Sequence, residues 1–525
     1  MKVTFLLFVL MFVSFQHLLG QAKVRKIPPN INHSSINNYS PYVSLDGNMM
    51  VYIADVAEDH VLTMCYSLRE GVNWKDPVVL PKSVNSRLNF LKGFGLSPDG
   101  KTLYISNAKS NGLGGFDLYS SQFNGVLWSD PVNIGLPINS KGNEASPSLS
   151  ADGSTLFFMR CEKMDFTSAD ACKIMMVIKK SNGQWDQPTE LPALVNTGNS
   201  QTPRIMGDGE TLVFSSNKLQ PSQGGMDLYF TRLTNGQWAP PQPLVFANTS
   251  KVDQYVSATS LGRYLLKDMP GTRENELVEI LFPPEVRPKS TMKIEGIVTG
   301  SENVTGAFVS VYDLVSAHRV FSTKPAKDGS FVAYVKEGGV YDLSVDPEMD
   351  NYTFFSKKFD MTSEKFSLIE KVTAPLKPLT SGDEIALSGI SFKPYSTELN
   401  PTSSQELRRL VRLIQGNPAM SFSIQVSLYG YEKDSVRSGP DLTEVKTDTL
   451  KIPVRYKVDS VTTAVRDSLV IKSQYHNDRT LQQAKSICSY LLSQGIPAGK
   501  LACSGKSAVE AVPEMRKTLI TAIAR

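Results

Sequence analysis

Beyond its first twenty residues the chain has no apolar run approaching the roughly 20 residues that a membrane-spanning helix needs. It has no marked excess of charge either. Against 55 Lys and Arg stand 51 Asp and Glu, a formal +4, and removing residues 1–20, whose one charge is Lys2, leaves +3. The dense basic field that nucleic acid requires is missing, so nucleic acid is not an expected partner. No cysteine follows the opening apolar run, which argues against a lipid-anchored N-terminus. Tryptophan and cysteine are scarce, four and five in 525 residues. A chain of this length is too long for one core, and two to four domains are expected.

The opening run has a form of its own. Lys2 precedes the apolar stretch Val3 to Leu19, and Leu18-Leu19-Gly20 places a small residue before Gln21. Residues 1–20 read as a secretory signal peptide, the alternatives being a membrane anchor or a buried first helix. The mature chain is then expected to be exported and soluble or peripheral to a membrane. In an oxidising compartment the cysteines gain meaning. Cys161 and Cys172 flank a polar insertion between two apparent strands and could close a hairpin disulfide; Cys488 and Cys503 could bridge a helix to a strand. Cys65 is left over, and five buried free thiols are the alternative.

The four tryptophans fall in one pattern, Trp-x-x-Pro: Trp74 with Pro77, Trp128 with Pro131, Trp185 with Pro188 and Trp238 with Pro241, at intervals of 54, 57 and 53 residues. Asp-Gly recurs in step at Asp46-Gly47, Asp99-Gly100, Asp152-Gly153 and Asp208-Gly209. Five residues before three of these turns stands a proline after Ser or Thr, at Pro41, Pro147 and Pro203. Three independent markers in register define a repeat. Each unit reads as a short strand, a tight Asp-Gly turn, an apolar strand, a Gly-rich turn, a third strand such as Asp117-Leu118-Tyr119 or Asp227-Leu228-Tyr229, and a fourth leading to the Trp. Four-stranded units of this period are propeller blades. A fifth, degenerate unit spans Tyr255 to Phe282, and Val24 to Asn32 are expected to supply its outer strand and close the ring. Five blades are expected, with six as the alternative.

The combination Ser-x-Asp-Gly with Gly-Gly-x-Asp-Leu-Tyr resembles the WD-like propeller repeats of periplasmic envelope proteins related to TolB, over about residues 38–285. A propeller glycosidase needs carboxylates paired across its channel. Only Glu144 and Asp253 qualify by position, neither recurs in the pattern, and neither has an evident partner. The expectation is therefore a chain that is not an enzyme, with no catalytic residue, no metal ligand and no cofactor.

After Pro283-Pro284 the pattern changes to short alternating strands, Lys293 to Val298, Phe308 to Tyr312, Ser330 to Val335 and Val340 to Val345. This stretch, 291–378, suits a small β-sandwich. It resembles the carboxypeptidase-regulatory-like domain in Gly296 to Val298, Val309 to Asp313 and Asp328 to Phe331. From 379 to 525 the order becomes β-α-β-α-β: a strand at Ile390 to Phe392, a helix from Ser403 to Gln415, a strand from Ser421 to Leu428, a helix from about Thr480 to Gln494, a strand from Leu501, and a final helix. An inserted hairpin is expected over about 436–474.

This last segment resembles the OmpA C-terminal domain, on Phe392 with Leu399, Asn417-Pro418, the strand into Gly430, and Ala484 through Gly495-Ile496-Pro497. The resemblance implies an α/β sandwich whose Asp and Arg grip the diaminopimelate of peptidoglycan, a cation taking the carboxylate and an anion the ammonium. The family Asp position falls here on Lys433, with Asp434 one residue later, and the family Arg position falls on Gln483, with Arg479 one helical turn earlier. Asn477 stands for the family asparagine, also displaced by one. The fold expected is thus multidomain: an all-β propeller over 21–286, a β-sandwich and an OmpA-like α/β sandwich. The function expected is a scaffold or anchor in the periplasm, peripheral to the outer membrane, with envelope proteins bound by the propeller and peptidoglycan as a further partner. The order of domains resembles accessory proteins of type IX secretion. A glycan-binding propeller is the alternative, and a glycosidase the third.

Overall fold

The computed structural model describes residues 23–524 apart from 56–61, 86–92, 111, 181, 272–274, 301–303, 364–368, 430–432, 435–441, 460–461 and 509–514. The segment read as a signal peptide lies outside the described residues. Two compact units form, one running to Lys293 and taking in 334–338 and Ile369, the other the remainder.

The first unit is a propeller of five sheets. Their innermost strands are Asn38–Val43, Phe94–Leu96, Asn143–Leu149, Ser200–Ile205 and Ser257–Thr259, in blades I to V. In blade V the outermost strand is Val24–Lys26, antiparallel to Asn275–Leu281 with Val24 opposite Ile280. The start of the chain therefore closes the ring by supplying the outer strand of blade V.

The repeat markers have distinct physical jobs. Each Asp-Gly turn puts its glycine at positive φ, between 67° and 75°. Its aspartate accepts the backbone N–H two residues on, as in Asp99 with Lys101 at 3.1 Å and Asp152 with Ser154 at 3.0 Å. The tryptophans wedge between blades: Trp128 meets Tyr66 of blade I edge-on at 6.1 Å, and Trp238 meets Phe157 of blade III at the same distance. Asp117 and Asp227 cap the Gly-rich turns just before them, through the N–H groups of Leu113 and Gly114 and of Gln223 and Gly224. Asp117 also accepts from the Asn133 amide of the adjoining outer strand at 2.8 Å.

A further repeat joins the blades. Asn32, Asn85, Asn139, Asn196 and Asn248 each pair both backbone groups of a third-strand residue, Leu277, Met64, Leu118, Ile174 and Leu228 respectively. A carboxamide carries the same donor and acceptor as a peptide group, so it extends the ladder where no strand is available. Asn32 does this for blade V from the N-terminal segment, reinforcing the closure. Replacing the wholly buried Asn139 by Asp turns its donor into an acceptor facing the Leu118 carbonyl. Asn139→Asp is expected to cost about 3 kcal/mol, read by chemical denaturation, whereas Asn124→Asp on an exposed turn costs less than about 0.5 kcal/mol.

In the second unit, Phe308–Asp313 runs between His318–Thr323 and Val340–Asp346, with Phe355–Asp360 outermost. A second sheet carries Thr291–Thr299 between Ser330–Lys336 and Ile369–Pro375. Two long helices follow, α1 (Ser404–Gly416) and α2 (Thr480–Ser493). Leu407, Leu410 and Ile414 of α1 and Ala484, Ile487 and Leu491 of α2 share a core with Phe422, Ile424 and Val426. The last sheet has the order Glu384–Ala386, Met515–Ala524, Met420–Tyr429, Leu501–Ala508.

Three sequence expectations are corrected here. The final segment is a strand, not a helix: Thr518, Ile520 and Ala522 are buried in alternation, and its Thr and Ile residues suit a pleated surface. Residues 390–392 hold only an isolated bridge, Phe392 to Leu399, and the strand lies earlier at Glu384–Ala386. The inserted hairpin is longer than expected, Leu442–Lys457 against Thr463–Asn477, with Ile452 opposite Ser468.

A buried charge cluster joins α1 to the strand Val340–Asp346. Arg409 bonds Asp342 and, at 2.8 Å, Glu406, whose other oxygen accepts from Ser356 at 2.5 Å. Burial raises the Glu406 carboxyl from 4.5 to about 7; Asp342 adds to this and Arg409 opposes it. Between those values the folded state holds a proton that the unfolded chain has released, so stability falls as pH rises from 4.5 to about 7 and levels above. Glu406→Gln is expected to flatten this fall, on the order of 2 kcal/mol, in unfolding midpoints compared at pH 5 and pH 8.

Candidate functional site

A propeller gathers five inner strands around one axis, and this chain plugs that axis with an arginine. Ser40, Gly93, Ser146, Thr202 and Tyr255 all hold left-handed φ, between 48° and 72°, at equivalent places in the five blades. In blades I, III and IV the ladder slips at the same point, the mark of a β-bulge. Proline follows in these three blades because a bulged residue needs no N–H for the ladder.

Four of the carbonyls that follow these left-handed residues meet one guanidinium. Arg204 donates through Nε to Val256 O at 3.0 Å, through Nη1 to Pro147 O and Pro203 O at 3.1 Å, and through Nη2 to Phe94 O at 2.8 Å. Its face lies over the Tyr42 ring at 4.6 Å. One side chain thereby touches all five blades. Burial pulls its pKa below the ordinary arginine value and pushes that of neighbouring Tyr255 up.

Beside Arg204, toward the Asp-Gly turns, lies a cavity of about 40 Å3 lined by Leu45, Pro98, Ala151 and Met206. It falls well short of the roughly 300–1,000 Å3 typical of small-molecule sites. Glu144 and Asp253, the two carboxylates singled out from the sequence, are not brought together as a pair. Glu144 bonds Arg160 at 2.7 Å and the Ser140 hydroxyl at 2.5 Å. Asp253 bonds Lys267 and accepts from the Thr249 N–H at 2.6 Å. Both therefore have partners, and both occupy the same recurring place, fastening the loop that enters an inner strand; the sequence reading missed these roles because the cations lie in other strands.

The opposite end carries a more open feature. The hairpin Thr155–Met164 with Ala169–Ile178 runs past the first inner-strand residue, since Asn143 faces Cys161 and the ladder continues to Met164 opposite Ala169. Cys161 and Cys172 are joined by a disulfide across that ladder. At the tip Phe166 is 59% exposed and braced edge-on, at 5.5 Å, by the buried Phe116 of blade II. Asp165 beside it is held down to about 2 by the N–H and hydroxyl of Thr167 and the N–H of Ser168, and stays anionic. The sequence reading passed over Phe166, which carried no repeat marker.

In the second unit, Cys488 of α2 and Cys503 are also disulfide-bonded, and Cys65 of the first unit is a buried free thiol. Of the residues proposed to hold peptidoglycan, Gln483 is buried and its amide donates to Ser396 O at 2.9 Å. Arg479 is the half-buried N-cap of α2. Asp434 and Asn477 lie on strands, paired with Tyr475 and Leu442, and their side chains lie outside the described residues.

No protein-family model matches the chain, and no curated protein matches it. Solved structures similar to it include a putative TolB from Agrobacterium tumefaciens, 13% identical with a TM-score of 0.29, covering 57% of this chain and 90% of that one. An oligogalacturonate lyase from Vibrio parahaemolyticus is 11% identical with a TM-score of 0.28, covering 51% and 96%. A Bacteroides ovatus protein described as xyloglucan PUL GH43B is 14% identical with a TM-score of 0.31, covering 65% and 90%. Likeness at this level transfers no activity. It does correct one expectation: enzymes stand beside TolB among the similar structures, so the exclusion of an enzyme drawn from the sequence is withdrawn.

The channel plug yields its own test. Arg204→Met strands several buried carbonyls and is expected to destabilise the first unit by at least about 3 kcal/mol, read by thermal unfolding. Arg204→Lys keeps the charge but not the fork of donors, and should fall between the two.

Proposed function

We propose that the chain is an exported glycan-binding protein of the cell envelope, which holds a polysaccharide on the face of the propeller opposite its Asp-Gly turns. The braced Phe166 ring carries this reading. An aromatic side chain left in water forgoes roughly 1.5–3 kcal/mol of burial, so one held rigid and exposed by a disulfide-stapled hairpin has the character of a contact surface. A sugar offers an apolar C–H face to such a ring and hydroxyls at its edge, where the Asp165 carboxylate and the hydroxyl oxygens of Thr167 and Ser168 supply acceptors. Export is supported by the opening segment and by the two disulfides, which persist in oxidising compartments.

The second unit, in this proposal, fixes the protein within the envelope. Its residue patterns support a carboxypeptidase-regulatory-like sandwich and an OmpA-like module, with Arg479 and Asp434 as the charges nearest those that would grip an acidic peptide of the wall. A second reading, a scaffold for a protein partner such as type IX secretion machinery, is favoured by the outer edge of blade II. There Val126, Leu127, Val132 and Leu136 are all strongly exposed within eleven residues.

Affinity electrophoresis of the full chain through gels carrying purified envelope polysaccharides tests the first reading. Retardation is expected, and Phe166→Ala should weaken it about tenfold, or 1.4 kcal/mol. Retardation that is indifferent to Phe166 removes the aromatic platform from the account, and no retardation by any glycan leaves the protein-partner reading in its place.

A further inference from the structure

From a cleft in the second unit we infer a binding site for a carboxylated sugar ring, separate from the propeller. The cleft measures about 400 Å3 and is lined by Tyr312 of the sandwich, by Gln405, Arg408 and Arg412 of α1, by Tyr490 of α2 and by Asp346. Small-molecule sites span roughly 300–1,000 Å3, so it has the size of one.

Its electrostatics are unbalanced. Arg408 and Arg412 stand one helical turn apart on one face of α1, where like charges repel. Asp346 bonds Arg412 at 3.2 Å and faces Arg409 at 3.7 Å, while Arg409 is already held by Asp342 and Glu406. No carboxylate is left for Arg408, which makes no ion pair or side-chain hydrogen bond among the described residues. Nor do the hydroxyls of Tyr312 and Tyr490, or the amide of Gln405. Unused donors thus converge on one concave surface: a guanidinium fork suited to a carboxylate, two phenols and a carboxamide. The phenol rings give apolar walls for the C–H groups of a saturated ring and hydroxyl tips for its oxygens. A simple anion would leave those walls and the amide unused, and a neutral sugar would leave Arg408 uncompensated.

Titration calorimetry on the full chain tests this with methyl glucuronoside, methyl glucoside and acetate, which supply ring and charge together, ring alone and charge alone. Saturable binding of the glucuronoside is expected, at least tenfold tighter than either partial ligand. Arg408→Ala and Arg408→Gln should each weaken it at least tenfold, with circular dichroism and the unfolding midpoint unchanged because this side chain is exposed and unpaired. Phe166→Ala should leave it unaltered, which separates this site from the propeller surface. Glucoside or acetate binding as tightly as the glucuronoside overturns the inference. So does the absence of saturable binding, or binding indifferent to both Arg408 variants.

Discussion

A single guanidinium on the propeller axis is the contact on which the first unit converges. Five inner strands must approach closely enough to pack, each bringing a backbone carbonyl toward the axis after its left-handed residue, and buried carbonyls without partners are costly. Arg204 answers four of these carbonyls and lays its face on Tyr42 of the remaining blade. Its charge meets no carboxylate among these contacts. Carbonyl dipoles and a ring face compensate it instead, in a geometry that a planar fork satisfies and an ammonium does not. The approach of the strands is tight enough that a Cβ on Gly95 would lie 2.3 Å from the Pro147 oxygen, so blade II needs glycine there.

Around this plug the blades are joined by side chains imitating backbone. The five asparagines lengthen third strands that would otherwise end unpaired, and Glu144 and Asp253 fasten loops with the help of a cation each. Polar groups that look chemically available in the sequence are consumed by the architecture. What remains exposed and unspent lies elsewhere, at Phe166 on its stapled hairpin and at Arg408 with the tyrosines of the second unit. A rigid ring of blades suits such a division, since it holds protruding features without requiring them to stabilise the fold.

The second unit shows the opposite use of charge. Arg409 sits between two carboxylates at the seam of helix and sandwich, where burial makes protonation of Glu406 easier than in water. Such a cluster adds little net stability compared with an apolar seam, yet removing one partner would leave an uncompensated buried charge.

The periodic features of this chain were legible one residue at a time. Trp-x-x-Pro, Asp-Gly and Ser/Thr-Pro each report a local backbone requirement, a wedge, a turn or a bulge, and local requirements leave local marks. The same holds for the closing role of Val24–Lys26, which follows from counting strands. The helices α1 and α2 announced themselves by apolar spacing. The final strand did not, because a short segment rich in Thr, Ile and Ala supports either period until its neighbours in the sheet choose. Where Glu144 finds Arg160, where Arg204 finds the carbonyls of three other blades, and where Arg408 is left without an anion depend on which distant residues the ring and the sandwich bring together. Repetition is written along the chain because every blade solves the same local problem. Partnership across the chain is decided only on folding, because electrostatic and hydrogen-bond complements need nearness in space and leave no fixed spacing in sequence.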